Sequence, residues 1–576
     1  MQITAGDKTF WIDWDVPVAM EDGVVLSADV YRPLEGRHPV VLTYGPYAKG
    51  LAFQEGYQRQ WSQLEREAPE ALEGSTNAYQ NWEAVDPEKW VPDGYACVRV
   101  DSRGAGRSEG FMDVWTPREF QDLYQCIEWA AAQSWSTGKV GLLGISYYAQ
   151  NQWQVAALNP PHLTAMIPWE GACDWYREVF YHGGMLSGFA SSWYPRQVVS
   201  VQHGVGDRGW RNPNTGEAVS GPQTLSPEEL ARNRSDLPAE IKKHPLNDSF
   251  HSERTPELSR ISVPLLSSAN WGGQGLHPRG NFEGFMGASS TQKWLDVHGD
   301  THFTCFYNNY GLPMQKRFFD HFLKGENNGW ENEPRVRLQI RHSDGRFVER
   351  HEREWPLART AWTPYHLDLS SLGFSATPPG EAQSLDYSAA GDGVTFSTVP
   401  SKAPLELTGP VAVKLFISSS SIDADIFLVL QVFDPEGKEV VFQGSNDRNT
   451  PIGLGWLRAS HRRLDPDRSR PWRPYHRHDR LEPLTPGEIY ELDVEIWPTS
   501  IVVEPGYRLA LNVRGRDYEY RGEVGEEMRS LGYKGCGPFV HNDPDDRPPQ
   551  IFGGEVTIHS GPNTPSHILL PVIPTT

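Results

Sequence analysis

Cysteine is scarce in this chain of 576 residues: there are 5, at positions 97, 126, 173, 305 and 536, scattered without metal-binding spacing. An odd, unclustered set argues against a disulfide framework and fits reduced thiols, so a cytoplasmic location is expected. Long apolar runs are missing too. Mean hydropathy is −0.55, and no stretch reaches the roughly 18 apolar residues of a membrane span. Met1–Trp11 lack a basic start followed by an apolar core, so no secretory signal is expected. Basic blocks are absent as well. Lys plus Arg number 53 against 74 Asp plus Glu, a net charge of −21, which argues against nucleic acid or an anionic membrane as partner. Aromatics, by contrast, are plentiful, with 21 Trp, 22 Tyr and 23 Phe. They suit a large pocket-bearing enzyme, although ordinary core packing accounts for most of them.

The chain changes character along its length. Residues 1–146 alternate apolar runs with helical stripes: Val40–Tyr44, Ala96–Val100 and Val140–Gly144 read as buried strands. Between the last two, Thr116-Pro-Arg-Glu119 reads as a capping box opening a helix with Phe120, Leu123, Ile127 and Ala130 on one face. Strand, helix, strand is the signature of a parallel α/β sheet. Over 147–250 the strand pattern fades after Leu163–Pro168, and a second capping box, Ser226-Pro-Glu-Glu229, opens a helix; this segment reads as a cap inserted into the sheet. Strands resume over 251–328 at Val263–Leu266 and Trp294–Val297. Over 329–576 only short strands follow, among them Val336–Ile340, Val411–Ile417, Ile426–Leu430, Tyr490–Val494 and Leu509–Val513. Turn-punctuated spacing of this kind predicts an all-β sandwich or jelly roll.

The strongest chemical signal is Gly144-Ile-Ser146-Tyr147-Tyr148, entered from a strand and leaving into a helix-compatible stretch. A sharp strand-to-helix turn lifts a serine hydroxyl above the sheet and sets a helix N-terminus beneath the charge that develops there. The second glycine of the usual G-x-S-x-G is missing; Tyr148 stands in its place.

With these residues in view, the chain resembles the cocaine esterase and X-prolyl dipeptidyl-peptidase group of serine hydrolases. The segments that carry the resemblance run in order along the chain: Met20–Val24, Ala28–Pro33, Asp101–Gly110, Gln133–Gly138, Trp355–Thr360, Leu407–Pro410 and Gly455–His461. The resemblance implies an α/β-hydrolase domain, a helical cap and a C-terminal jelly roll. It implies a small-molecule ester or amide substrate and no metal or organic cofactor, and it leaves homo-oligomerisation open. By position, the nucleophile falls on Ser146 and the base on His302, within Trp294-Leu-Asp-Val-His298-Gly-Asp300-Thr-His302. The oxyanion donors fall on the Tyr147 N–H and the Tyr47 hydroxyl, with Tyr44 the weaker choice. His298 competes with His302, and His298, Asp300 and His302 also read as a weak metal pattern.

One member is missing. The family's triad acid belongs in a Gly-Trp-x-Asp run, which here reads Ala269-Asn270-Trp271-Gly272-Gly273. Glycine holds no imidazole, so another carboxylate is expected in the role. Glu170, at the end of the preceding strand, is the first choice. Asp174 is the alternative, and Asn270, Glu283 and Asp300 are also near in sequence. Residues 49–92, rich in Trp, Gln and Glu, form an insertion that reads either as a surface loop or as a lid. Trp169, Trp271 and Tyr148 are expected at the substrate pocket. Two other readings compete with an ester hydrolase: a peptidase releasing X-Pro dipeptides, and a silent binding protein left by the lost Asp.

Overall fold

Strands that are apolar on both faces need cover on both sides. The computed structural model, which describes residues 1–574, sets the predicted ones at the centre of an 11-stranded sheet. Its strands are β1 (Gln2–Ala5), β2 (Lys8–Ala19), β3 (Val25–Arg32), β4 (His38–Gly45), β5 (Ala96–Asp101) and β6 (Ser136–Ile145). They continue as β7 (Leu163–Trp169), β8 (Leu265–Asn270), β9 (Lys293–His298), β10 (Val336–Arg341) and β11 (Phe347–Glu352). Their spatial order is β1-β2-β3-β5-β4-β6-β7-β8-β9-β10-β11. From β5 to β10 the strands run parallel, with antiparallel strands only at the two edges. The ends of β4, β6, β7, β8 and β9 therefore open on one rim, where parallel α/β sheets carry their sites.

Four helices matter to that rim: α1 (Gln58–Glu67), α2 (Pro117–Ala131), α3 (Tyr147–Ala156) and α4 (Pro278–Gly287). The stripe Phe120, Leu123, Ile127 and Ala130 of α2 is buried as its spacing predicts. The capping box expected at Thr116 does not form. Glu119 turns inward instead, accepting from the Trp115 N–H at 2.6 Å and from the Tyr147 hydroxyl. A buried phenol needs an acceptor, and that demand outweighs the cap. The second box, at Ser226 and Glu229, forms with both of its bonds. Between β7 and β8 the cap consists of short helical pieces, including Phe189–Trp193, Pro227–Arg232 and Leu237–Lys243. Among the described residues no helix is long and apolar enough to cross a membrane.

Apart from a two-stranded hairpin in the cap (Tyr181–His182 with Met185–Leu186), the remaining strands build a 12-stranded sheet whose pairings are antiparallel. The predicted runs lie within Leu405–Ser419, Asp425–Phe433, Tyr490–Val503 and Arg508–Arg514, and they enclose a buried core that includes Leu407, Val413, Leu428 and Leu511. This is the C-terminal jelly roll. One predicted member is absent from it: Val336–Ile340 belongs to β10 and pairs in parallel with β9. Its buried Val336, Leu338 and Ile340 pack with Trp271, Phe282 and Trp355, so burial draws the strand onto the first sheet.

The two sheets meet closely. Arg279 of α4 pairs with Glu178 of the cap at 2.8 Å and with Glu495 of the jelly roll at 3.1 Å. The turn after β8 touches a jelly-roll loop backbone to backbone, with Ser445 N–H donating to Gly272 O at 3.1 Å. A Cβ on Gly272 would lie 2.3 Å from Gly444 Cα, so only glycine permits that approach.

Candidate active site

Ser146 follows β6 directly and opens α3. Its backbone sits at φ 76° and ψ −99°. A positive φ is costly for a residue with a side chain, and here it is held by neighbours. Ser146 N–H donates to Trp169 O at 3.2 Å, and Ser146 O accepts from Gln150 N–H at 2.8 Å. A Cβ on Gly144 would lie 2.4 Å from Tyr148 Cβ, so the bare glycine lets the turn close. The result is a nucleophile elbow without its second glycine.

The imidazole on the serine is that of His277. Its Nε2 lies 3.0 Å from Ser146 Oγ, which corrects the expectation that His302 faces the hydroxyl. His277 is the residue before α4, at the end of the turn that begins at Gly272–Gly273. It is buried, and burial first, then the neighbouring His302, hold its basicity well below the usual histidine value. Accepting from the serine at Nε2 places its proton on Nδ1. That nitrogen has no partner within hydrogen-bond reach, and Glu170 Oε2 stands 3.8 Å away.

His302 lies behind it. The two rings stack with centroids 5.1 Å apart and planes 12° from parallel. His302 Nδ1 bonds Glu170 Oε2 at 2.8 Å, and its Nε2 bonds Glu83 Oε1 at 2.8 Å. Burial alone would lower its pKa, but Glu170 and Glu83 outweigh that and raise it to about 10. His302 N–H donates to Ser445 O at 3.1 Å, which anchors this loop to the jelly roll.

Glu170 is wholly buried directly after β7, at φ 51°. Besides His302 it accepts from Ser445 Oγ at 3.0 Å and, through Oε1, from Asn270 Nδ2 at 3.2 Å. The structure thus brings Glu170 to the histidines. It does not bring Asp174. That carboxylate binds Arg177 at 2.8 Å, and although burial would raise it, Arg177 and Arg279 hold it at about 2. Asp174 caps a helical turn in the cap. The Gly273 position is tight for the family's Asp: a Cβ there would lie 3.1 Å from Pro278 Cδ and 3.2 Å from Ser445 Oγ, so both neighbours would have to give.

Tyr47 lies two residues past β4. Its hydroxyl accepts from Trp193 Nε1 at 3.1 Å, which leaves the phenolic hydrogen free to donate. Burial and the nearby Glu83 hold that phenol well above its usual value, so it stays protonated. The Tyr147 side chain is committed to Glu119, so only its backbone is available to the site; as first residue of α3, its N–H has no intrahelical acceptor. Tyr44 is a core residue, its hydroxyl near Arg103 N–H at 3.5 Å. His298 is buried against Trp169, with Nδ1 bonded to Gly299 O at 2.8 Å.

The pocket expectations are corrected in two places. Trp169 packs on His298 and Phe306, and Trp271 packs on Phe282 with its Nε1 donating to Gln339 O at 2.8 Å. Both are wholly buried core residues, because side chains at these strand ends turn into the layers flanking the sheet. Tyr148 does stand at the site, half-buried, its ring 5.7 Å from that of Tyr47. A narrow cleft reaches His302 between Arg59 and Trp82 of the 49–92 insertion and Ser445, Arg448 and Met528 of the jelly roll. A wider cleft between Cys173–Asp174 and Arg468–Tyr475 touches none of these histidines.

The H-x-D-x-H pattern does not gather: Asp300 accepts from Thr301 N–H, and His298 faces Trp169. One group whose donor atoms all lie within 4.8 Å of one another, His342, Asp344 and Glu504, lies away from the site; at the site the group is Glu170, His277 and His302. Their two rings are stacked, so the in-plane lone pairs run side by side and do not converge on one ion. Three members of the site went unseen in the sequence: His277, Glu83 and Ser445. They lie 131, 219 and 275 residues from the partners they bond. Only Glu83 had a signal, its place in the unexplained insertion.

A serine at an elbow, with an imidazole on its hydroxyl and a carboxylate behind, is the arrangement of a serine hydrolase. Residues 22–304 match the profile of X-Pro dipeptidyl-peptidase (S15 family), and residues 328–569 match the X-Pro dipeptidyl-peptidase C-terminal non-catalytic domain. A CocE/NonD family hydrolase from Staphylococcus aureus is 32% identical, covers 100% of this chain and 96% of its own, and superposes with a TM-score of 0.85. Cocaine esterase from Rhodococcus sp. (strain MB1 Bresler) is 26% identical over 98% of this chain and 99% of its own length. A Streptomyces avermitilis protein named for Xaa-Pro dipeptidyl-peptidase activity is 24% identical over 74% of this chain and 68% of its own. The chain belongs to the cocaine esterase and X-Pro dipeptidyl-peptidase family of serine hydrolases, the CocE/NonD hydrolases.

Proposed function

We propose that the protein cleaves a carboxylic ester or amide of a small molecule through an acyl-enzyme on Ser146. Ser146 Oγ attacks the carbonyl carbon while His277 Nε2 takes its proton, and the oxyanion is met by the Tyr47 hydroxyl and the Tyr147 N–H. His277 then gives the proton to the leaving oxygen or nitrogen. Water, deprotonated by the same nitrogen, releases the acid. Glu170 stands behind both histidines as the acid that the Gly273 position cannot supply. The observation that carries this reading is the 3.0 Å contact from Ser146 Oγ to His277 Nε2 on a strained elbow.

An ester is preferred over an X-Pro peptide, because both carboxylates that reach the site already share their charge with His302 and so are weak receptors for a substrate ammonium. A reducing, cytoplasmic setting is part of the same reading, supported by five buried, unpaired cysteines. Intact mass spectrometry during turnover of slow esters tests the chemistry. An acyl mass increment should appear on Ser146 and vanish in Ser146→Ala. Turnover by Ser146→Ala at the wild-type rate would overturn it. A panel of esters beside X-Pro amides separates the two substrate classes.

A further inference from the structure

Two carboxylates bracket one buried imidazole in this site. We propose that His302 is held permanently as an imidazolium between Glu170 and Glu83, and that Glu83, supplied by the insertion, is the positioning residue that keeps it so. The inference rests on the serine-hydrolase reading with His277 as the base, and it assigns His302 a different role.

Hydrogen-bond valence carries the argument. An ionised carboxylate only accepts, so a ring bonded to carboxylates through both nitrogens must carry a proton on each. His302 is in that position, at 2.8 Å on either side. His277, whose Nε2 accepts from Ser146 when it serves as the base, is not in the same state. A lone cation at this depth would be costly, but two flanking carboxylates reverse the balance. The raised value of His302 and the depressed value of His277 point the same way; burial pushes the Glu83 carboxyl up, and its hydrogen bond to His302 and the charge there act against that.

Glu83 is placed with some strain for this task. Its backbone sits at φ 60°, its carbonyl accepts from Ile145 N–H at 3.1 Å, and its second oxygen has no partner. The phenols of Tyr47, Tyr57, Tyr148 and Tyr307 surround it, all kept protonated by burial. His298 Nε2 approaches Glu170 from the other side at 4.0 Å. Arg59 and Arg448 line the outer cleft, each paired with a glutamate, at Glu527 and Glu67.

The charges then close on the reaction. Glu170 and Glu83 against one imidazolium leave a single negative charge in the buried cluster. His277 offsets it when it takes the serine proton, so the cluster of histidines and carboxylates becomes neutral in the transition state while the new negative charge sits on the oxyanion, at the Tyr47 hydroxyl and the Tyr147 N–H. The cluster as a whole does what a lone Asp does in an ordinary triad.

Glu83→Gln tests this. With that charge gone, His302 still protonated leaves the cluster neutral, and protonation of His277 goes uncompensated. We expect kcat/KM to fall by about tenfold or more near pH 6 and to recover as pH rises through the lowered His302 pKa. Wild type should show no such limb, and Glu83→Asp should restore much of the flat profile. In parallel, nitrogen NMR of histidine-labelled wild type, assigned against His302→Gln, should show both His302 nitrogens protonated at pH 8. A singly protonated His302 in wild type, or a pH-independent loss in Glu83→Gln, would overturn the proposal, and the NMR reading stands even if a variant folds poorly. Full activity in His277→Gln with an intact imidazolium signature would instead remove the base assignment and leave the clamp in place.

Discussion

Glu170 serves two histidines with one oxygen: Oε2 bonds His302 at 2.8 Å and faces His277 Nδ1 at 3.8 Å. Asp174, four residues on, serves the fold, tied to Arg177. The two acids should therefore separate in experiment. Glu170→Gln is expected to lower kcat by about 10³–10⁴ while the protein stays folded, since a neutral amide cannot offset charge on the imidazoles. Asp174→Asn is expected to leave kcat nearly unchanged and to cost about 3–5 kcal/mol of stability by stranding a buried arginine. Kinetics beside thermal melts of both variants check this, and near-wild-type turnover in Glu170→Gln would remove it from the site. Glu170 was legible at the sequence level because it ends a strand beside an acid position left empty. His277 and Glu83 were not, because they reach the site through folds of turn and insertion that no local spacing encodes.

At the level of elements, strands and elbow follow from pattern. Ser146 was readable because a strand, a glycine and a helix meet within a few residues, and geometry there is local. The turn after β8 shows the other case. Gly272 and Gly273 look like the loss of an acid, yet in the fold they admit the 443–445 loop, whose Ser445 donates to Glu170 at 3.0 Å. Gly272→Ala should push the loops apart, since its Cβ would lie 2.3 Å from Gly444 Cα. Both melting temperature and kcat should fall. Ser445→Ala removes one hydrogen bond to the carboxylate and should cost roughly 1–3 kcal/mol in transition-state stabilisation with little change in the melt. If Gly272→Ala keeps full activity, the close approach of the two loops has no role in the site. The unformed Thr116 box and the placement of β10 share one cause: burial of a neighbouring group overrode a local preference.

Across the whole molecule, the jelly roll reaches the candidate site through Ser445, which bonds Glu170 and His302, although the profile it matches is named non-catalytic. Its seam with the cap is lined with buried histidines. His182 Nδ1 meets His541 Nε2 at 2.8 Å, and His461 and His478 meet at 3.0 Å. Burial lowers His182, His461 and His476 to about 3. These folded values lie below the unfolded value of about 6.5. Stability from them is therefore complete above that pH and lost as pH falls toward 3, because the unfolded chain takes up protons the seam refuses. Burial also raises Asp101 to about 7, Glu119 to about 8 and Glu178 to about 7, and these lose stability as pH rises. The two sets offset each other at mildly acidic pH. Below pH about 4.5 the histidines act unopposed, at roughly 1.4 kcal/mol per pH unit for each. Calorimetric melts should drop steeply there, with net proton uptake on unfolding; a flat melting temperature from pH 5 to 3.5 would contradict a neutral seam.

The central claim is that Ser146 is served by His277, with His302 held as a charged neighbour. The most direct test is the rate at which a fluorophosphonate labels Ser146 in wild type, His277→Gln and His302→Gln at fixed pH. His277→Gln should fall by about 10⁴ toward the Ser146→Ala background, and His302→Gln should keep measurable labelling. Labelling of His277→Gln at the wild-type rate, with His302→Gln silent, would contradict the account and return the base to His302.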